Sequence, residues 1–280
     1  MRAGIYSPNH IGNDTAIFNA VADQLRRRGC EVEVFSEDQF LNSTPTQPYI
    51  MNMCRGPESI IKLQQLEEEG RLVVNSGFGI ENCTRERMTR ILMGHNIPYP
   101  DSLIVNTNEK VMADLDAKGI TACWIKRGEG HSMHKEDVSY CRHTEEAQEV
   151  VHEFFYRGIK RAVINRHLQG DLVKFYGVVG QPFFTWYYSY QQHGSTNNND
   201  ASAEGKKMNF DVEYLKDICL RTADILDIKI YGGDCVVEAD GSIKIIDFND
   251  WPSFAPCRKE ASIHIAKAIL ALINDKIRGK

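Results

Sequence analysis

The sequence lacks the features by which membrane proteins, secreted proteins and nucleic-acid-binding proteins are usually recognised. No apolar run in its 280 residues approaches the ~20 residues needed to cross a bilayer, and the opening "MRAGIYSPNH" lacks the apolar core of a secretion signal. The formal net charge of -5 argues against a basic nucleic-acid-binding surface. We therefore expect a cytoplasmic protein that binds neither membranes nor nucleic acids.

The cysteine pattern excludes two further classes. The eight cysteines include no CxxC pair, and several lie inside apolar stretches, as Cys123, Cys219 and Cys235 do. This spacing fits neither a disulfide framework nor a cysteine metal site, and it indicates reduced, mostly buried thiols. The two commonest nucleotide-loop signatures, GxxxxGK[ST] and GxGxxG, are missing as well.

The composition is that of a globular protein, with 42% hydrophobic and 25% charged residues. Up to residue 82, strand-like runs ("RAGIYS", "CEVEVFS", "PYIMNMC", "RLVVNS") alternate with amphipathic helices. This alternation predicts a parallel sheet, with Asn13 or Asp14 capping the first helix. We expect an N-terminal α/β domain over residues 1–82.

The pattern changes at about residue 83. A helix is predicted over Thr144–Tyr156, and "TACWIKRGEGHS" and "RAVINRHL" read as strands. "DLVKFYGVVG" and "QPFFTWYYSYQ" are predicted to be antiparallel strands, and the polar segment 191–205 a loop. Two amphipathic helices are predicted around Leu215 and Ile269. The remaining chain is thus expected to be mixed α+β.

The segment "YGGDCVVEADGSIKIIDFND" predicts a β-hairpin around Asp240-Gly241. A two-residue turn would place Ala239 opposite Ser242, Val236 opposite Ile245 and Asp234 opposite Asp247. Asn249 would then emerge on the same face beside Gly232. Two carboxylates and an amide oxygen suit Mg²⁺, which also takes substrate phosphates as ligands. The other reading is a hairpin end whose polar residues face water.

Residues that could bind the phosphates at such a site lie earlier in the sequence. In "WIKRGEGHS", Lys126 ends an apolar strand, and Gly128 and Gly130 allow backbone N–H groups to approach phosphate oxygens.

The order of these elements and the segment "IIDFNDWPSF" resemble the ATP-grasp superfamily, particularly its ribosomal-protein glutamate ligase and glutathione synthetase branch. The resemblance covers most of the chain. It implies a two-lobed ATP-grasp domain after the N-terminal domain, with lobes at 83–165 and 166–280. It also implies that the protein uses ATP and Mg²⁺, with two ions bound.

Carried over by position, the resemblance assigns roles to individual residues. Asp234, Asp247 and Asn249 would bind Mg²⁺, while Lys126 and Arg85 would contact ATP phosphates. Gly128 and Gly130 would cover the phosphates. The backbone at the adenine hinge would be that of Asn165, Arg166, His167 and Leu168.

Three positions depart from the family pattern. Arg166 stands where the hinge normally carries Glu, Ser253 replaces a Gly after Pro252, and the glycine loop carries His131 and His134. The histidines, together with Lys174, are similar to features of inositol trisphosphate kinases, which are ATP-grasp relatives.

The resemblance implies an ADP-forming carboxylate–amine ligase that works through an acyl phosphate on a small molecule or peptide. Catalytic roles fall to Lys126, and in the kinase alternative to Lys174 and His131 or His134, for a polyol-like hydroxyl acceptor. A third alternative is a nucleotide-binding module without turnover. His10 and Asn13 are candidate acceptor contacts, the 191–205 loop is a candidate lid, and a homo-oligomer is left open.

Overall fold

A computed structural model describes residues 2–5, 11–129, 137–189 and 208–279. The strands are β1 Arg2–Ile5, β2 Glu33–Ser36, β3 Tyr49–Met53, β4 Leu72–Val74, β5 Ser102–Asn106, β6 Cys123–Arg127, β7 Val138–Cys141, β8 Arg161–Arg166, β9 Asp171–Val178, β10 Phe184–Tyr188, β11 Ile230–Val237 and β12 Ile243–Asp250. The helices are α1 Ile11–Arg26, α2 Glu37–Leu41, α3 Pro57–Glu68, α4 Gly77–Asn82, α5 Arg85–Gly94, α6 Met112–Ala117, α7 Thr144–Tyr156, α8 Val212–Leu226 and α9 Arg258–Ile277. The strands form three four-stranded sheets.

The first sheet is parallel, with strand order β2-β1-β3-β4, as the alternation of strands and helices predicted. The predicted helix cap was wrong, because α1 begins at Ile11 and so includes both Asn13 and Asp14. The second strand is also shorter than predicted, since β2 begins only at Glu33.

The second sheet has the order β5-β8-β6-β7, and its neighbouring strands are antiparallel. Helices α6 and α7 cover one face, where Ile125, Ile164 and Phe154 belong to one buried cluster. The prediction of a helix at Thr144–Tyr156 is confirmed. Strand β8 extends to Arg166, one residue beyond the predicted end of the first lobe.

The third sheet has the order β10-β9-β11-β12 and is antiparallel throughout. Helices α5 and α8 pack on one face, where Phe248, Cys235 and Leu215 are buried together. The opposite face carries the polar residues that the hairpin analysis singled out.

The β11–β12 hairpin differs from the prediction in two places. Gly241 N–H donates to the Glu238 carbonyl and Glu238 N–H donates to that of Ser242, so the loop has three residues, not two. Gly241 adopts a left-handed conformation with φ 83°, which favours glycine. Val236 therefore pairs with Lys244, not Ile245.

A β-bulge then restores the predicted register at the end of the hairpin. The pairing shifts by one between Asp234 and Cys235, which leaves Ile246 as the extra residue of β12. Beyond the bulge Asp234 lies opposite Asp247 and Gly232 opposite Asn249, as predicted. The longer loop and the bulge each shift the strand pairing by one residue, in opposite directions, so the two shifts cancel.

The final helix, α9, packs against α1, the first helix of the chain. Ile17, Phe18 and Val21 of α1 share one buried cluster with Ile265 and Ile269 of α9. No helix among the described residues is long and apolar enough to cross a membrane. Predictions for His10, Gly130, His131, His134 and the 191–205 loop concern residues outside the described ranges.

Candidate active site

Asp234, Asp247 and Asn249 lie together at the end of the β11–β12 hairpin. Asp234 and Asp247 are directly opposite each other, and Asn249 Nδ2 donates to Asp247 Oδ2 at 3.4 Å. Both carboxylates are partly exposed, at 21% and 28% of their side-chain surface. Like charges at opposed positions of a sheet repel, so this arrangement needs positive charge nearby.

Lys174 supplies part of that charge. It lies opposite Asp234 on the neighbouring strand β9, and its Nζ contacts Asp234 Oδ1 at 2.7 Å. Burial lowers the pKa of Lys174, but the adjacent Asp234 carboxylate raises it more, and the net direction is upward. Burial raises the pKa of Asp234, with the Lys174 charge acting in the opposite direction. Lys174 therefore acts as an internal counterion for a candidate metal ligand.

Lys126 and Arg85 reach the same part of β12 from β6 and α5, and the region between these two elements and the ends of β11 and β12 is called the cleft below. Arg85, the first residue of α5, lies with its Nη2 3.9 Å from Asp247 Oδ1. Lys126, on β6, donates from Nζ to the Ile246 carbonyl at 3.2 Å. Because Ile246 is the bulged residue of β12, the bulge both restores the register of Asp247 and provides the contact to Lys126.

The ammonium of Lys126 is held in unfavourable surroundings. The residue is 8% exposed, and burial followed by the charge of Arg85 lowers the pKa of Lys126 to about 8. Asp247 and Asp234 act in the opposite direction without restoring the ordinary value. A negatively charged ligand placed here would stabilise the protonated form.

Gly128 belongs to the sheet more than to a free loop. Its N–H donates to the Arg161 carbonyl at 2.9 Å, and its carbonyl accepts from the Glu86 N–H at 3.1 Å. A Cβ at this position would lie 3.1 Å from the Arg161 backbone oxygen. Gly128 is therefore required for close packing against β8, and its N–H is already used within the sheet.

The predicted hinge, Asn165 to Leu168, spans the end of β8, with Asn165 and Arg166 still in the strand. The side chain of Arg166 is held away from the cleft, because it bonds to Asp101 Oδ2 and to the carbonyls of Lys118 and Gly119. The backbone N–H groups of Arg166 and His167 donate to Asp101 and Ala122. Arg166 thus has a structural role at the end of β8.

An aromatic group that the sequence reasoning missed lies on the same face of β6 as Lys126. Trp124, two residues before Lys126, contacts Tyr140 with ring centroids 5.1 Å apart and donates from Nε1 to His167 Nδ1 at 3.1 Å. Strand alternation from Lys126 would have placed Trp124 on this face. Tyr140 could not have been included, because β7 was not predicted.

Asp250, the last polar residue of "IIDFND", points to the opposite face from Asn249. It is 2% exposed and forms a salt bridge with Arg55, which also donates from Nη2 to the Asp250 carbonyl at 2.9 Å. Arg55 follows β3 of the N-terminal domain. This pair therefore connects the first sheet to the last strand, and it was not predicted.

The described residues contain no group of three or more His, Cys, Asp and Glu side chains that could hold a metal. The candidate metal site instead combines two carboxylates with the amide oxygen of Asn249. Such an all-oxygen set suits a hard cation that keeps further positions for water or phosphate.

No protein-family model and no curated protein matches the chain by sequence. Solved structures do match over nearly the whole chain. The D-alanine–D-alanine ligase of Bacillus anthracis complexed with ATP superposes with a TM-score of 0.70 at 14% identity, covering 100% of this chain and 98% of the ligase.

Two further matches are of the same kind. The ATP-grasp ligase PsnB, complexed with its precursor peptide PsnA2 and AMPPNP, matches with a TM-score of 0.64 at 16% identity over 96% of each chain. The D-cycloserine synthetase DcsG matches with a TM-score of 0.68 at 12% identity, covering 97% of this chain and 99% of the synthetase. The chain therefore has the ATP-grasp fold.

Proposed function

We propose that the protein is an ATP- and Mg²⁺-dependent ligase that joins a carboxylate to an amine and releases ADP and phosphate. The observation that carries the proposal is the meeting of Asp234, Asp247 and Asn249 with Lys126 and Arg85 in one cleft of an ATP-grasp fold. The similar structures include a ligase complexed with ATP and another complexed with Mg and ADP.

The carboxylate and amide oxygens fit Mg²⁺. Lys174 and Arg85 already place positive charge on Asp234 and Asp247, which is how a pair of opposed carboxylates is stabilised without a metal. Asp234, Asp247 and Asn249 would hold the ion, and a second ion stays a prediction. When bound, Mg²⁺ neutralises charge on the phosphate oxygens as the γ-phosphoryl group is transferred.

Lys126, Arg85 and Lys174 would each bind the phosphates or the acceptor in a different way. Lys126, being buried and short of counterions, gains most from contact with a phosphate oxygen. Arg85 has a planar fork of donors that suits phosphate. Lys174, which neutralises Asp234 in the free protein, would be available to a phosphate or to the acceptor if Asp234 held the ion.

The acceptor carboxylate attacks the γ-phosphorus, and the bond from that phosphorus to the bridging oxygen breaks, giving ADP and an acyl phosphate. An amine then attacks the acyl carbon, loses a proton, and expels inorganic phosphate. The names of two structural neighbours indicate the class of acceptor. D-alanine–D-alanine ligase is named for a small molecule, and PsnB is complexed with a peptide. We accordingly propose an acceptor of one of these two classes.

The first test is thermal unfolding with and without MgATP, on the parent and on Asp247→Ala. A ligand that binds only the folded state stabilises it by about 2.7 kcal/mol at a hundredfold excess over Kd. MgATP should raise the Tm of the parent and leave that of Asp247→Ala nearly unchanged. Asp240→Ala, in the exposed hairpin loop of the same strands, is the matched control and should respond like the parent.

The second test separates the three activities. With candidate carboxylates and hydroxylamine as a general amine, a ligase gives ADP, free phosphate and a hydroxamate. With candidate polyols in place of the carboxylates, a kinase gives ADP with the phosphate retained on the product, and a binding module gives no ADP in either assay. If MgATP shifts the Tm of neither the parent nor Asp240→Ala, the ATP site itself is refuted.

A further inference from the structure

The course of strand β9 gives the candidate site a direction. The strand follows the predicted hinge at Asn165–Leu168 and runs from Asp171 past Lys174 to Val178. Val178 is buried in the cluster formed by α1 and α9. The candidate metal ligands lie in between, because Lys174 pairs with Asp234. A nucleotide with its base at the hinge and its phosphates at these ligands therefore points along β9 toward Val178.

The same direction indicates where the acceptor lies. In phosphoryl transfer the attacking and leaving oxygens are roughly in line, on opposite sides of the phosphorus. The leaving ADP lies on the hinge side, so the acceptor lies beyond the candidate metal ligands, further along β9. The next residue there on the same face is Tyr176, two positions and about 6.8 Å from Lys174.

Aromatic rings line this side of the candidate metal site. The ring of Tyr176 packs against those of Tyr187 and Phe254, with centroids 6.4 and 5.3 Å apart. Tyr187 pairs with Lys174, and its hydroxyl is hydrogen-bonded to the Cys257 thiol. Tyr176, Tyr187 and Cys257 are half-buried, so a ligand can contact them without any movement of the chain. We call Tyr176, Tyr187, Phe254 and Cys257 the acceptor end.

Gly232 makes room for the acceptor end. It pairs with Tyr176, and a Cβ at Gly232 would lie 2.9 Å from the Tyr176 ring and 2.7 Å from Pro252. The ring of Tyr176 therefore lies over Gly232. Asn249, a candidate metal ligand, pairs with Gly232 from the other strand. The aromatic surface thus begins directly beside the candidate metal site.

The surroundings of the acceptor end contain one cation. Lys174 is the single Lys or Arg in the two rows of paired residues that cross the sheet at Lys174 and Tyr176, and the segment 252–257 has no charged residue. Arg258, which follows, is turned to α1, where its Nη2 donates to Asn13 Oδ1 at 2.9 Å. One cation suits the one carboxylate that reacts. An acidic side chain on the acceptor would have no counterion here.

We propose that the acceptor is a carboxylate that carries an uncharged aromatic group, with Lys174 at the carboxylate and the rings of Tyr176 and Tyr187 against the aromatic group. This inference rests on the proposed function and adds to it the class of substrate. An aromatic group packed on tyrosine rings gains affinity beyond the area that it buries, which an aliphatic group of similar size does not. Tyr176 and Tyr187 are therefore specificity-determining residues.

The test measures the Kd of three N-acetyl amino acids for the protein saturated with MgAMPPNP, which is not hydrolysed. The three are N-acetyl-phenylalanine, N-acetyl-leucine and N-acetyl-glutamate. N-acetyl-phenylalanine should bind more tightly than N-acetyl-leucine and about tenfold more tightly than N-acetyl-glutamate. Isothermal titration calorimetry gives the three constants. Hydroxamate formation with MgATP and hydroxylamine gives kcat and KM for the same acids.

Tyr176→Leu removes one ring and should raise the KM of N-acetyl-phenylalanine about tenfold, with kcat and the KM of MgATP unchanged. Tyr176→Phe keeps the ring and should keep the preference. Trp186→Leu is the control, because Trp186 lies on the opposite face of β10 and packs on Phe210. Thr185→Lys adds a cation beside Tyr176 and should shift the preference toward N-acetyl-glutamate.

Two kinds of failure are distinguishable. A protein that binds no magnesium nucleotide, or that phosphorylates a polyol, refutes the proposed function. A protein that binds MgAMPPNP but none of the three acids refutes only the substrate class. Binding of N-acetyl-leucine or N-acetyl-glutamate as tightly as N-acetyl-phenylalanine refutes it too, as does an unchanged preference in both Tyr176→Leu and Tyr187→Leu. If Tyr176→Leu does not fold, Tyr187→Leu decides.

Discussion

Lys126 is the residue where burial and charge most directly affect binding. Its pKa is lowered to about 8 by burial and by Arg85, and a bound phosphate would raise it again. The free protein therefore loses the Lys126 proton at a lower pH than the complex does. The affinity for nucleotide is therefore highest below pH 8, where Lys126 is protonated in the free protein, and it falls as the pH rises through that value.

We expect the Kd of MgATP to be constant below this range and to increase toward about tenfold per pH unit above it. Lys126→Arg should flatten the profile, because an arginine stays protonated throughout. Calorimetric titrations between pH 7 and 10 measure the Kd of MgATP for the parent and for Lys126→Arg. An identical slope for the parent and Lys126→Arg would show that another group is responsible.

The residues of the cleft were predictable from the sequence to different degrees. Strand alternation and one turn signal were enough to bring Asp234, Asp247 and Asn249 to one end of a hairpin. The hydrogen bonds of the buried Asn165 side chain were not accessible, because they join it to the hydroxyl groups of Tyr99 and Ser102, which lie 66 and 63 residues away in sequence. Such contacts follow only from the pairing of β5 with β8 and from the course of the chain between α5 and β5.

At the level of elements, the hairpin shows how a correct register can follow from an incorrect turn. The Asp240-Gly241 pair signals a turn, but it does not distinguish a two-residue loop from a three-residue loop that ends in a left-handed glycine. Nothing in "IKIIDF" marks Ile246 as a bulge. The loop and the bulge were both missed, and the predicted register of Asp234, Asp247 and Asn249 was still correct because the two errors offset each other.

The loop itself gives a test at this scale. Gly241 has φ 83°, and an added Cβ would lie 3.2 Å from the Asn209 carbonyl. Gly241→Ala should lower the free energy of unfolding by about 1 kcal/mol, and Gly241→Asn by less, because Asn tolerates this conformation better. Urea denaturation of the parent and of both variants measures these differences in the free energy of unfolding.

The affinity of both Gly241 variants for MgATP should equal that of the parent, since the bulge lies between the loop and the site. A large change in affinity would mean that the loop, and not the bulge, determines the register at Asp247.

At the level of the whole molecule, the Arg55–Asp250 pair joins the N-terminal sheet to the last strand. Arg55→Met would leave Asp250, which is 2% exposed, as an unpaired buried carboxylate. Losing one partner of a buried pair costs about 3–5 kcal/mol, whereas replacing both by apolar residues is often neutral.

We therefore expect Arg55→Met to be strongly destabilised in urea and Arg55→Met/Asp250→Leu to recover much of the loss. Arg221→Met, which removes a pair with the exposed Asp217, is the surface control for the ion pair. If the double variant were no more stable than Arg55→Met, the Arg55–Asp250 pair would stabilise the fold by more than the neutralisation of two buried charges.

The packing of α9 on α1 also bears on how the protein is made. Asn13 and Arg258, which bond to each other, are 245 residues apart. A ribosome adding ~5–20 residues per second needs roughly ten seconds to a minute to cover that interval. During that time the apolar face of α1 lacks the helix that covers it in the native state. The core around α1, although α1 is synthesised early, is thus among the last to be completed, and chaperones would meet the apolar face of α1 exposed.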